Sequence, residues 1–248
     1  SRGTLTYTGQ RGDNRKILTC GAYNRLDSVQ ISGNLTVTIY YPPKDPPVIE
    51  GQANGSIFTV IENTSQKLTC RIIGGNPLAN LSWTCLDHIG ILSTSGESVS
   101  SEIVLSADRR AQGKICTCRS SHQLDGNNDV FVTLQVHYSP SMQGLTSPYK
   151  VIEYQPLNVT CQVNSNPIPD QIFWSPTGDS SVPSTLYFSS VSRNKSGTYS
   201  CTAHNMMVST SGTQKNGTNT SRIQVDVLYP PSIQGLTSSY KVIENQPL

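Results

Sequence analysis

A stretch of twenty residues occurs twice in this chain, and its spacing decides how the rest must be divided. Tyr138 to Leu157 (YSPSMQGLTSPYKVIEYQPL) returns as Tyr229 to Leu248 (YPPSIQGLTSSYKVIENQPL), identical at 16 of 20 positions and displaced by 91 residues. Cys70 and Trp83 recur as Cys161 and Trp174 at the same displacement, each Trp lying 13 residues after its Cys. A fixed period of this kind marks a repeated structural unit. The 248 residues then hold two whole units, 42–138 and 139–229, between a partial one at 1–41 and the start of another at 230–248.

Within each unit apolar residues alternate with polar ones, the period of a half-buried strand rather than of a helix. Leu68, Cys70 and Ile72 share one face, as do Leu157, Val159, Cys161 and Val163. Leu81 with Trp83, and Ile172 with Trp174, give the next inward pair; Val130 to Val136 and Ile223 to Val227 give the last rows. Turn-forming clusters such as Asp125-Gly126-Asn127-Asn128 and Pro176-Thr177-Gly178-Asp179 separate the runs. Each unit opens on an aromatic followed by proline: Tyr41-Pro42-Pro43, Tyr138-Ser139-Pro140 and Tyr229-Pro230-Pro231. Proline fixes φ and cannot donate to a ladder, so it is predicted to stop one unit's last strand and begin the next with a stiff join. The expectation is an all-β, elongated array of sandwiches. A content of 35% hydrophobic and 14% charged residues suits such thin units with wide solvated faces.

Several function classes fall away on the same evidence. The net charge is +2 with basic residues scattered, which leaves no electrostatic footprint for nucleic acid. No apolar run reaches the roughly 18 residues of a membrane-spanning helix, so no membrane insertion is expected within this segment. The first residues show no charged head, apolar stretch and cleavage site of a signal peptide. His88, His122, His137 and His204 stand in no HExxH motif, and there is no nucleophile elbow or phosphate-cradling glycine loop. The chain therefore reads as a non-enzyme with no cofactor and no metal.

The order of Cys161, Trp174 and then Gly197-Thr-Tyr-Ser-Cys-Thr-Ala-His-Asn205 resembles the immunoglobulin superfamily. The resemblance implies Greek-key sandwiches in which Trp83 and Trp174 are core residues and Tyr199 forms the tyrosine corner. It also implies disulfides Cys70–Cys118 and Cys161–Cys201. Only 40 residues separate the latter two, too few for the additional strands of a variable-type domain, so the match is to the C2 or I set. Tandem units with Tyr-Pro-Pro joins are similar to nephrin-like, sialoadhesin-like and hemicentin-like ectodomains. In 42–138 the tyrosine-corner position is Cys116, and in 1–41 it is Leu18. Leu5, Ile103 and Leu186 each precede the second-sheet cysteine by 15 residues and are read as one equivalent strand, E. Cys20 is then unpaired, its partner expected upstream of residue 1.

Two cysteines remain, Cys85 and Cys116. If Trp83 lies opposite Cys118 on antiparallel strands, the constant index sum puts Cys85 opposite Cys116, close enough for a cross-strand disulfide. Two buried thiols and a metal site are the alternatives.

Eight Asn-x-Ser/Thr sequons occur, at Asn34, Asn54, Asn63, Asn80, Asn158, Asn194, Asn216 and Asn219, about twice what composition gives by chance. Asn80 and Asn158 alternate with inward residues and so face solvent, as N-glycosylation requires. Arg11-Gly12-Asp13 spells an integrin-binding tripeptide but reads as an ordinary glycine-containing turn. Arg119 is compared with the sialic-acid arginine of sialoadhesin-like lectins, but that residue belongs to a variable-type domain, so Arg119 is given a structural or solvated role. The resemblance thus implies an extracellular adhesion module, cell-surface or secreted, recognising a protein ligand, with homophilic pairing among the options. The parent would be membrane-anchored or matrix-associated. A structural matrix spacer and an immune-type or lectin receptor are the other readings. If any face binds, the strand-end region His122 to Phe131, with both of those residues expected exposed, is the candidate because it is the least burdened by sequons.

Overall fold

The computed structural model describes residues 3–23, 30–106, 108–232 and Glu244. Most of the expected fourth unit, 230–248, therefore lies outside the described residues. Two compact units emerge: Ser1–Tyr138 with Met207–Lys215, and Ser139–Met206 with Asn216–Leu248.

In the first unit β1 (Ile17–Tyr23) pairs antiparallel with β2 (Gln30–Thr36). The larger part holds β3 (Val48–Ile49), β4 (Ile57–Ile61), β5 (Ser65–Ile73), β6 (Asn80–Thr84), β7 (Ile91–Ser95), β8 (Ser98–Ser106), β9 (Ile115–His122) and β10 (Gly126–Gln143). These form two sheets. One has the order β3-β5-β8-β7; the other runs β10-β9-β6, with β4 parallel to β10. Alternation in the sequence becomes alternation in space: β5 reads exposed, buried, exposed, buried over most of its length. Its inward Leu68, Cys70 and Ile72 meet Val130, Val132, Leu134 and Val136 from β10 in one core, with Trp83 packed against it. The Trp83 indole N–H donates to the Ser101 carbonyl at 3.1 Å, so the ring reaches the opposite sheet with its polar atom satisfied.

The second unit holds β11 (Tyr149–Ile152), β12 (Leu157–Thr160), β13 (Gln162–Asn166), β14 (Gln171–Ser175), β15 (Thr185–Phe188), and most of β16 (Gly197–Val208) and β17 (Gln214–Leu228). β11-β17-β16-β14 make one sheet, and β12-β15 face it. Trp174, Tyr199, Phe188 and Ile223 are buried between them. The Trp174 indole repeats the earlier bond, donating to the Ser184 carbonyl at 3.2 Å. Tyr199 donates its hydroxyl to the Lys195 carbonyl at 3.0 Å.

Three cysteine pairs are joined. Cys70–Cys118 and Cys161–Cys201 each link the two sheets of a sandwich, with Cα atoms 6.4 Å apart. Cys85–Cys116 lies within one sheet, Cα to Cα 4.2 Å. The register sets this last pair: Trp83 is opposite Cys118 and Thr84 opposite Thr117, so the next inward position past β6 meets Cys116. Cys20 is free and exposed.

Two expectations need correction. Leu5 stands outside any strand and is exposed, whereas Ile103 and Leu186 lie in β8 and β15 and are buried. A strand exists only with a ladder partner, and none of the described residues pairs with the segment around Leu5. Proline also fails to stop the strand at Tyr138-Ser139-Pro140, where β10 continues to Gln143. Pro140 lies beyond His137, the last residue registered on β4, so its missing N–H costs that ladder nothing.

Candidate functional site

All eight sequon asparagines are exposed. Asn34, Asn80, Asn158, Asn216 and Asn219 stand within strands, Asn54 and Asn63 in turns, and Asn194 in the short 3-10 helix Arg193–Lys195. Asn63 has φ +59°, a left-handed conformation that asparagine tolerates. Asn219 donates through Nδ2 to the Pro140 carbonyl at 3.0 Å, which engages the atom a sugar would occupy. Among the sheets of the described residues, β3-β5-β8-β7 is the one whose strands carry no sequon. Its outer face shows Lys67 paired with Glu102 at 2.8 Å, together with exposed Val48, Ile73, Ile91 and Val104.

The region His122 to Phe131 is placed differently from expectation. His122 is only 9% exposed. Its Nδ1 accepts the Leu124 N–H at 3.2 Å, which leaves the proton on Nε2 to donate to the Pro77 carbonyl at 3.0 Å. The imidazole thus closes the turn between β5 and β6 instead of meeting solvent. Asn205 does the same work in the second unit, donating through Nδ2 to the Pro167 carbonyl at 3.0 Å. The signal was in the sequence: Asn76-Pro77 and Asn166-Pro167 recur, and each partner stands four residues after its Cys. Phe131 is exposed, as expected. The freedom of this face from sequons is nevertheless lost in three dimensions. Asn80 lies opposite Ser121, and the Asn54 Oδ1 accepts the Phe131 N–H at 3.0 Å. Sequons distant along the chain become neighbours across strands, which linear spacing does not show.

Several charged groups are committed to ion pairs. Arg119 forks onto Asp129 at 2.9 and 2.7 Å, so it is not a free cation for an acidic sugar. Arg109 forks onto Glu62 at 3.0 and 2.9 Å and lies 4.4 Å over the Tyr138 ring. Arg193 repeats this with Glu153 at 2.9 and 2.8 Å and with the Tyr229 ring at 4.3 Å. Hydrogen bonding from each arginine holds its carboxylate partner below the ordinary range. The Arg11-Gly12-Asp13 tripeptide forms a single turn of 3-10 helix. Arg11 lies 5.0 Å over the Tyr41 ring, and Asp13 accepts from the Gln10 N–H and the Lys16 ammonium at 2.9 and 2.8 Å. Those bonds, with one from Tyr7, hold the Asp13 carboxyl well below the usual carboxylate range.

On the outer face of the second unit the Phe173 and His204 rings stack, centroids 5.9 Å apart at 23°. The His204 Nδ1 is 2.7 Å from the Thr218 hydroxyl, which fixes the imidazole plane. His88 is half-buried, and His137 Nδ1 accepts the Val208 N–H at 3.3 Å. Among the described residues no group of three or more His, Cys, Asp or Glu is placed to hold a metal ion, and no helix is long and apolar enough to cross a membrane.

Comparison with known proteins agrees with this architecture. Residues 139–205 match the family described as Immunoglobulin domain. The chain is 26% identical over 183 residues to Cell adhesion molecule 2 of Xenopus tropicalis, covering 66% of this chain and 41% of that protein. It is 32% identical over 179 residues to Sialic acid-binding Ig-like lectin 10 of Homo sapiens, covering 68% and 24%. The chain thus spans about a quarter to two-fifths of the length of these relatives. A three-immunoglobulin-domain structure from titin superposes with a TM-score of 0.55 at 17% identity, over 86% of this chain and 74% of the other.

Proposed function

We propose that this tandem of immunoglobulin-type sandwiches is the recognition part of an extracellular adhesion protein, acting by binding and not by catalysis. The observation that carries the reading is the distribution of exposed sequons. Among the described residues, those that stand within strands fall on every sheet except β3-β5-β8-β7, whose strands are bare. Disulfide-closed cores support an oxidising, extracellular setting. The relatives named for cell adhesion support a protein partner on a neighbouring surface, which includes a second copy of the chain.

The two families of relatives favour different ligands, and the state of Arg119 supports one of them over the other. A guanidinium already shared with Asp129 offers an acidic sugar little, so protein recognition is the better reading.

One substitution tests this. Lys67→Asn creates Asn-Leu-Thr at 67–69 on the bare face, replacing an exposed ion pair worth at most about 1 kcal/mol. Beads coated with the secreted protein are scored for mutual aggregation and for attachment to cells. The reading expects both wild-type signals that occur to be lost in K67N. Full binding by a K67N protein shown by mass to carry the new sugar would refute it.

A further inference from the structure

The chain has four phenylalanines. Phe58 and Phe188 are buried in the two cores; Phe131 and Phe173 are exposed on outer faces. Each exposed one lies on a face with a sequon, and at Phe131 the link is direct. Phe131 donates its N–H to the Asn54 Oδ1 at 3.0 Å, and its carbonyl accepts the Gly55 N–H at 2.8 Å. Ser56 completes the strap, its carbonyl accepting the Thr133 N–H at 2.9 Å. All three residues of the sequon Asn54-Gly55-Ser56 are therefore tied to the strand that carries Phe131.

Those bonds orient the modification. With Oδ1 taken up by the strand, Nδ2 is the carboxamide atom left for the sugar, on a side chain that is exposed. Gly55 brings the turn close: its φ is +79°, and a Cβ there would stand 3.5 Å from the Phe131 ring. A sugar on Nδ2 thus starts beside an aromatic ring that the chain leaves 36% exposed. A pyranose ring has one apolar face of C–H groups, which packs on an aromatic ring and removes both surfaces from water.

We infer that Phe131 is the seat of an N-linked sugar on Asn54, the first N-acetylglucosamine lying over its ring. This rests on the reading that the sequons are used. In that modification Nδ2 bonds to the sugar C1 as the C1–O bond to a lipid-linked pyrophosphate breaks, and the lipid pyrophosphate leaves with the displaced proton. A sequon also lies near exposed aromatic surface in the second unit, there by strand register alone. The bonds Thr202 to Thr220 and His204 to Thr218 share one index sum, which sets Asn216 opposite exposed Met206 and beside the Phe173–His204 stack. Exposed aromatic surface on these faces is therefore covered by the chain's own glycans, not held open for a partner.

The test uses the secreted protein from a eukaryotic host. Occupancy of Asn54 is measured first, by mass spectrometry of glycopeptides. The rate at which peptide-N-glycosidase releases the sugar from native protein is then compared for Asn54 and for Asn63. Phe131→Ala should speed release at Asn54 by about three- to tenfold and leave Asn63 unchanged. Phe131→Trp, which keeps an aromatic face, should preserve the slow rate and guards against a general loss of folding. An unoccupied Asn54 would overturn both the glycosylation reading at this site and the seat. An occupied Asn54 released at the same rate in F131A would overturn the seat alone.

Discussion

Removing the Cys85–Cys116 bridge probes how a second cross-link acts inside a loop that is already closed. Cys70–Cys118 alone closes 48 residues, worth about 4 kcal/mol in the chain-entropy treatment. With that bond in place the shorter path between Cys85 and Cys116 runs back through it. It comprises fifteen residues from Cys70 to Cys85 and two from Cys116 to Cys118. A loop of about 17 residues gives roughly 3 kcal/mol, against roughly 3.7 if the 31-residue separation were taken alone. Replacing both cysteines by alanine should therefore cost the first unit about 3 kcal/mol, a large share of the 5–15 typical of a domain. In urea, with a slope of about 1–3 kcal/mol/M, the midpoint of that unit should fall by about 1–3 M. The second unit, whose bridge is untouched, should keep its own transition. An unchanged first midpoint would refute the reasoning, because it would mean the loop was not constraining the unfolded chain.

Other outcomes follow from single contacts. Tyr199→Phe removes the bond to the Lys195 carbonyl and should destabilise the second unit by about 0.5–1.5 kcal/mol in the same assay. His122→Leu should cost about 1–3 kcal/mol by orphaning the Pro77 carbonyl, whereas His122→Asn, which copies Asn205, should retain most of the stability. Because Arg109 lowers the Glu62 carboxyl from its ordinary 4.5, the stabilisation is present above that pH and is lost as pH falls through the folded value. Melting temperatures measured below pH 4.5 should thus fall less steeply for Glu62→Gln than for wild type.

The strand pattern was legible because inward and outward residues alternate strictly around each sulfur. Leu68, Cys70 and Ile72 read as one face, and one face they are. The position of Cys85 opposite Cys116 was legible for a related reason: antiparallel register is arithmetic once Trp83 and Cys118 are paired. What could not be read was anything set by contact between distant segments. His122 looks like a strand-end residue until the Pro77 carbonyl arrives beneath it. Phe131 looks unencumbered until the Asn54 turn is strapped to its backbone. Pro140 looks like a stop until β13 is seen to supply a further partner for the strand that carries it, beyond the end of the β4 ladder. The lone Leu5 shows the converse, an apolar residue at the right spacing with no strand to join among the described residues.

Peptide mapping of the secreted protein without reduction tests the account at its root. The result expected is three linked pairs, Cys70 with Cys118, Cys85 with Cys116 and Cys161 with Cys201, each inside its own sandwich, with Cys20 as the one thiol that reacts. Links joining the two sandwiches, or cysteines of these pairs recovered as thiols, would contradict it.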